Sequence, residues 1–199
     1  MEFRKDLSHL PWEEVFARQQ QRATRGAAWL EGLHVQEGDH VLDLGAGPGY
    51  VSLQLAERVG ASGLVYAVDR SAEALSYLQG QMRQKAVTNI RCVLTDVLAL
   101  SLDDKQVSSA LLSMMLHHAD DPAALMGKVA ELLPGNAWAV IAEFHPDGPA
   151  FSGPPREARL SPGQITQWCQ EARLQVVHYA RQSDEHYMLT VQRCDSCVV

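Results

Sequence analysis

The chain has 199 residues, 46% hydrophobic and 21% charged, the make-up of one ordinary globular domain with a sizeable core, and that excludes an intrinsically disordered chain. Lys and Arg number 17 against 24 Asp and Glu, for a formal net charge of −7, so nucleic acid is not expected as the main partner. The longest apolar stretches, such as Ala110–Leu116, fall far short of a membrane span, and Met1–Asp6 shows no apolar secretory region, so a cytoplasmic location without membrane insertion is expected.

From Pro11 to about Leu33 the pattern is helical, with Val15, Phe16, Ala23, Ala27 and Leu30 recurring at three- and four-residue spacing. Its polar face, rich in glutamine and arginine from Arg18 to Arg25, reads as a solvated surface. Strands and helices then alternate strictly. His40–Leu44 is a short apolar strand ending in glycines, followed by an amphipathic helix at Val51–Val59. Leu64–Val68 is a second strand, and a helix at Ala72–Lys85 carries Ala74, Leu75, Leu78 and Met82 on one face. Ile90–Leu94 and Val107–Met115 are the third and fourth strands. Asp121 caps a helix at Pro122–Leu133 with proline in its first position, and Pro134-Gly135 stops it. Ala137–Phe144 is a fifth strand.

The last third changes character. His145–Gly163 holds eight Pro or Gly residues without periodicity and reads as a long surface loop. A helix at about Pro162–Ala172 precedes two strand-like runs, Leu174–Ala180 and Tyr187–Gln192, joined as a hairpin. The alternation predicts an α/β fold: a mostly parallel sheet with helices on both faces, strands buried on both sides, and an antiparallel strand at the end. The four cysteines, Cys92, Cys169, Cys194 and Cys197, do not read as a disulfide framework, and Cys92 is expected in a strand core. Cys194 and Cys197 form a CxxC without a second pair for zinc and without the strand-to-helix context of a redox site.

Function concentrates in Val41-Leu-Asp-Leu-Gly-Ala-Gly-Pro-Gly-Tyr50, where a buried strand runs through Gly45, Gly47 and Gly49 directly into a helix. Glycines allow a tight turn and close approach to a ligand, and the helix start offers unpaired N–H groups. Two details separate this turn from a dinucleotide fingerprint. The spacing is GxGxG without the later third glycine, and Asp43 stands at the strand end, where a pyrophosphate would be repelled and a positive group favoured. Asp69 ends the second strand twenty residues after Gly49, where a carboxylate can accept hydrogen bonds from ribose hydroxyls.

These segments, followed in order by Thr95-Asp96-Val97, Ser113-Met-Met-Leu-His-His118 and Leu133-Pro-Gly135, resemble the class I S-adenosylmethionine-dependent methyltransferases, in particular the small single-domain kind related to quinone-biosynthesis enzymes. The resemblance runs from about Val35 through Phe144 and more loosely to Gln192. It implies a Rossmann-like seven-stranded sheet of order 3-2-1-4-5-7-6 with the last strand antiparallel. It also implies S-adenosylmethionine as cofactor, S-adenosylhomocysteine as product and a small-molecule acceptor. Position by position, Gly45, Ala46 and Gly47 would line the methionine part of the cofactor, with Gly49 also binding it, and Asp43 would reach its ammonium. Asp69 would hold the ribose, with Arg70 beside the adenine. Asp96 and the Val97 backbone would read the adenine edge, while Ser113 and Met114 would lie at the ammonium and sulfonium. One domain over residues 1–199 is expected: a helical cap at 1–34, a cofactor-binding core at 35–145, and a lid loop, helix and hairpin at 146–199.

His117 and His118 offer two readings. His117 acts on the acceptor as an orienting or proton-accepting group, or one ring caps the loop while the other packs under the cofactor. A metal site from His117, His118 and His145 lacks a carboxylate or sulfur partner, and no metal is expected. Ser113-Met-Met-Leu116 stands where enzymes methylating adenine or glutamine carry an Asn/Asp-Pro-Pro-aromatic turn, which speaks against those acceptors. The other readings carried are a non-catalytic S-adenosylmethionine- or S-adenosylhomocysteine-binding regulatory protein and a dinucleotide oxidoreductase. The N-terminal helix and the 145–163 loop are expected to cover the methyl group together. On that loop Arg156 and Arg159 either recruit an anionic acceptor or are solvated or paired with surface acids.

Overall fold

In the computed structural model, which describes residues 10–102, 106–149 and 153–194, the alternation builds one twisted sheet. Its strands are β1 (His40–Leu44), β2 (Leu64–Asp69), β3 (Ile90–Leu94), β4 (Val107–Ser113), β5 (Trp138–Phe144), β6 (Leu174–Arg181) and β7 (His186–Arg193). They lie in the order β3-β2-β1-β4-β5-β7-β6. Pairings among β1 to β5 are parallel, and β7 runs antiparallel to both β5 and β6. The helices are α1 (Trp12–Gln21), α2 (Ala23–Gly32), α3 (Tyr50–Val59), α4 (Ala72–Lys85), α5 (Pro122–Leu132) and α6 (Pro162–Glu171). This is the Rossmann-like architecture expected, with the strand order reversing between β1 and β4.

The pleat sorts alternate strand residues onto two cores. Leu42, Leu44, Val68, Leu112 and Ile141 face α5 and α6, where Met126, Ile165 and Cys169 pack. Val41, Val65, Leu111 and Val140 face the other side, where Trp29 and Leu33 of the α2 end, Leu55 of α3 and Leu78 of α4 pack. The caps follow the sequence: Ser71, Asp121 and Ser161 each accept from a backbone N–H in the first turn of the helix they begin, and Ser161 with Gln164 completes a capping box.

Four details differ from expectation. The N-terminal helix is two helices, broken at Arg22, because α1 lies against α3 and α4 while α2 lies on β5, and one straight rod cannot follow both surfaces. β3 is an edge strand, so Leu94 is 59% exposed and Cys92 only half-buried. β4 stops at Ser113 rather than Met115, since Met114 takes φ +54° and turns the chain into a short 3-10 turn at Leu116–His118. The 145–163 loop contains a further 3-10 turn at Arg156–Ala158. Cys197 of the CxxC lies outside the described residues.

Gly49 sets the entry to α3. It caps the helix at φ +82°, and a Cβ there would stand 2.3 Å from the buried Leu78 Cδ1. Left-handed strain and overpacking act together, so Gly49→Ala is expected to cost roughly 2–4 kcal/mol. Urea denaturation should show a lower midpoint at unchanged slope.

Candidate active site

Where the strand order reverses, the carboxyl ends of β1, β2 and β4 and the loop after β3 open onto a cavity of about 250 Å³. Gly45 and Gly47 line it at the turn after β1. The Gly45 and Ala46 N–H groups both donate to the Val68 carbonyl, at 2.9 and 3.0 Å, which pins the turn to β2. Gly47 has φ +56°, and a Cβ there would approach only the Gln19 amide, at 3.4 Å, so glycine leaves that volume to the cavity. Ala46 is buried and Gly49 packs on Leu78, so these two shape the turn without lining the cavity.

Asp69 holds the turn from the other side. One carboxylate oxygen accepts from the Gly47 N–H and the other from the Ser71 N–H, both at 2.8 Å. Each oxygen keeps a further acceptor position, and the residue lines the cavity beside Arg70. Asp96 caps the 3-10 turn Val97–Ala99 by accepting from the Leu98 N–H at 2.8 Å, and it also lines the cavity, as does Val97. Ser113 and Met114 form the β4 edge of the same cavity.

Asp43 lies beneath the turn, buried, and does not itself line the cavity. Ser52 donates to its Oδ2 at 2.5 Å, while Oδ1 is buried and has no hydrogen-bond partner among the described residues. Burial pushes its carboxyl up to about 6, with Asp69 adding to the rise and the Ser52 hydroxyl opposing it. An acceptor orphaned under a glycine turn calls for a donor from a bound molecule, directly or through solvent.

The histidine pair divides. His118 lines the cavity. His117, the residue expected to act on the acceptor, does not, because its Nδ1 lies 2.7 Å from Glu143 Oε2 in a fully buried pair. Its ring also packs edge-on against Phe144 and lies 4.1 Å, centroid to centroid, from that of His118. Glu143 further accepts from the backbone N–H groups of Leu116, His117 and Phe144, at 2.7, 3.2 and 3.2 Å. This one carboxylate therefore fixes the turn after β4. Burial alone would push it up, but the His117 ring and these hydrogen bonds outweigh burial and hold it below the ordinary Glu range.

Two further side chains come from the N-terminal helices. Gln19 donates to the Ala46 carbonyl at 3.2 Å and accepts from the Tyr50 N–H at 3.0 Å, latching α1 onto the glycine turn. Arg22 lines the cavity rather than facing solvent. The expected partner in coverage, the 145–163 loop, contributes no lining residue among those described. Arg159 draws it away, as its buried guanidinium donates to the Pro154 and His145 carbonyls, both at 3.0 Å, and lies over Phe144. Arg159 is thus a staple of the loop, and Arg156 is exposed. Among the described residues no cluster of three or more His, Cys, Asp or Glu is arranged to hold a metal, and no helix is long and apolar enough to cross a membrane.

Known proteins resemble this chain in sequence and in fold. The 2-phytyl-1,4-naphtoquinone methyltransferase of Trichormus variabilis is 37% identical over 109 residues, which cover 54% of this chain and 48% of that protein. The chain thus spans about half the length of the first curated relatives it matches. The ubiquinone biosynthesis O-methyltransferase of Paracidovorax citrulli is 25% identical over 191 residues, 86% of this chain and 79% of that one. Among solved structures, a SAM dependent methyltransferase from Aquifex aeolicus superposes with a TM-score of 0.78 at 20% identity, covering 84% of this chain and 89% of its own. The profile of the methyltransferase domain family matches residues 35–193, core, last helix and hairpin together, and this chain belongs to that family.

Proposed function

We propose that the cavity binds S-adenosylmethionine and that the chain transfers its methyl group to a small-molecule acceptor of the quinone or quinol class. The observation that carries the reading is two carboxylates lining one cavity with a third buried beneath its glycine turn. Asp69 is braced for a ribose, Asp96 stands at the next loop for an adenine edge, and Asp43 Oδ1 lies orphaned beneath the glycine turn where an ammonium would complete it. A 2-phytyl-1,4-naphtoquinone methyltransferase and an O-methyltransferase of ubiquinone biosynthesis are among the relatives above, which supports the acceptor class.

When bound, S-adenosylmethionine supplies an electrophilic methyl on a sulfonium that is its own leaving group. The chain then has to bind, orient and exclude water. Asp69 and Asp96 fix the donor's orientation. Trp29, Met114 and Met115 make the wall around the reacting centre apolar. His118 is the group on the cavity that can take a proton from an acceptor hydroxyl, and His117 acts through it as a positioning residue held by Glu143. The acceptor reaches one domain in the cytoplasm, and α1 and α2 cover the cavity.

S-adenosylhomocysteine titrated calorimetrically should bind the wild-type chain. Asp69→Ala should weaken that binding by about 1.5–3 kcal/mol, roughly ten- to a hundredfold, since two ribose hydroxyls lose a charged acceptor. Tight NAD binding with no response to S-adenosylhomocysteine would sink the reading. Formation of S-adenosylhomocysteine and a methylated quinol from S-adenosylmethionine and quinol acceptors then separates turnover from mere binding.

A further inference from the structure

Arg22 occupies the break between α1 and α2, and its guanidinium lies over the Phe144 ring, with Cζ 5.2 Å from the centroid. Phe144 ends β5, whereas Asp69 ends β2 and Asp96 follows β3. In the strand order these lie on opposite sides of the β1–β4 reversal, so Arg22 enters the cavity at the end away from the two carboxylates. No described residue accepts a hydrogen bond from this guanidinium. Two carboxylates, Glu185 and Glu143, attract it through space, but neither hydrogen-bonds it. Arg18 and Arg25 are like charges, Glu143 is spent on His117 and three backbone N–H groups, and Glu185 lies 3.7 Å from Arg159. Burial, with Arg25 and Arg18, lowers the Arg22 guanidinium to about 10, which leaves it charged at neutral pH.

A guanidinium brought part-way into a cavity loses part of its hydration, and an anionic oxygen of a ligand can return charged hydrogen bonds to its fork of donors. The wall beside it is apolar: Trp29, Met114 and Met115 line the same space. We propose that Arg22 determines acceptor specificity and that the acceptor is an apolar or aromatic molecule bearing an anionic oxygen, a carboxylate or phenolate, gripped by the Arg22 fork. The inference rests on the cavity being a methyl-transfer site. The other anion able to enter is the carboxylate of the cofactor itself. The placement over β5 assigns Arg22 to the acceptor instead, because the glycine turn and Ser113, beside which the methionine end would lie, belong to β1 and β4.

Benzoate and benzamide, alike in shape and different in charge, are titrated into the protein saturated with S-adenosylhomocysteine. Wild type is expected to favour benzoate by at least about tenfold. Arg22→Met should abolish the preference and Arg22→Lys keep most of it, with S-adenosylhomocysteine affinity changed less than about twofold in both. Equal binding of the two probes by wild type, or binding of neither, overturns the proposal. So does a tenfold or greater loss of S-adenosylhomocysteine affinity in Arg22→Met or Arg22→Lys, which would give the guanidinium to the cofactor. A wild-type protein that binds no S-adenosylhomocysteine overturns the methyl-transfer reading itself and this inference with it. The first titration therefore tells the two failures apart.

Discussion

Glu143→Ala is expected to cost the fold about 3–5 kcal/mol, the range for breaking a buried pair by removing one partner. Four groups depend on this side chain: the His117 ring and the backbone N–H groups of Leu116, His117 and Phe144. All lie where water does not reach, so each is left without an acceptor. Glu143→Gln is the discriminating control. Its amide oxygen can still receive the Leu116 and His117 N–H groups, and the loss should fall to about 1–2 kcal/mol. The pH dependence has a definite sign. The Glu143 carboxyl is held below its ordinary value, so its contribution is present above the unfolded value of 4.5 and is lost as pH falls through the lower folded one. Urea titrations of wild type and Glu143→Gln from neutral to acid pH should therefore converge. Curves that stay parallel would show that the carboxylate charge does not hold this turn.

The central strands were readable because each is a short, mostly apolar run, and parallel strands buried on both faces demand that pattern. The glycine turn was readable because backbone geometry at Gly49 leaves the residue type little choice. The cap over the cavity was not. Gln19 and Arg22 lie on a polar helical face, and a single helix shows the same face whether it meets water or a cavity; what decides is the contact of Gln19 with Ala46, 27 residues away. The end of β4 was missed for a different reason. Positive φ at Met114 follows from the turn that Glu143 organises, and methionine itself does not encode it. Glu143 carried a signal of its own, a lone carboxylate within Trp138–Phe144, an otherwise apolar strand. Buried acids in such places need partners, and His117 and the backbone of the neighbouring strand's turn were within reach.

At the glycine turn, S-adenosylhomocysteine should bind less tightly as pH falls below about 6, by up to about tenfold per unit, and Asp43 should be the reason. Its carboxyl is raised by burial, so in the free protein the sign runs opposite to Glu143. The stabilising contribution is complete below the unfolded value of 3.8 and is lost as pH rises through about 6. The difference amounts to about 3 kcal/mol as an order of magnitude. The ligand reverses that preference. An ammonium brought toward the orphaned Oδ1 favours the ionised carboxylate, so binding near pH 6 must expel a proton. Calorimetry in two buffers of different ionisation heat counts that proton directly. Asp43→Asn keeps the shape and removes the charge, and two changes follow. The free variant should be more stable than wild type at pH 7.5, because it no longer buries an ionised group. Its affinity should be about tenfold weaker there yet nearly flat down to pH 5, with no proton released. The same pH slope in wild type and Asp43→Asn would place the titrating group elsewhere and leave Asp43 as a strut beneath the turn.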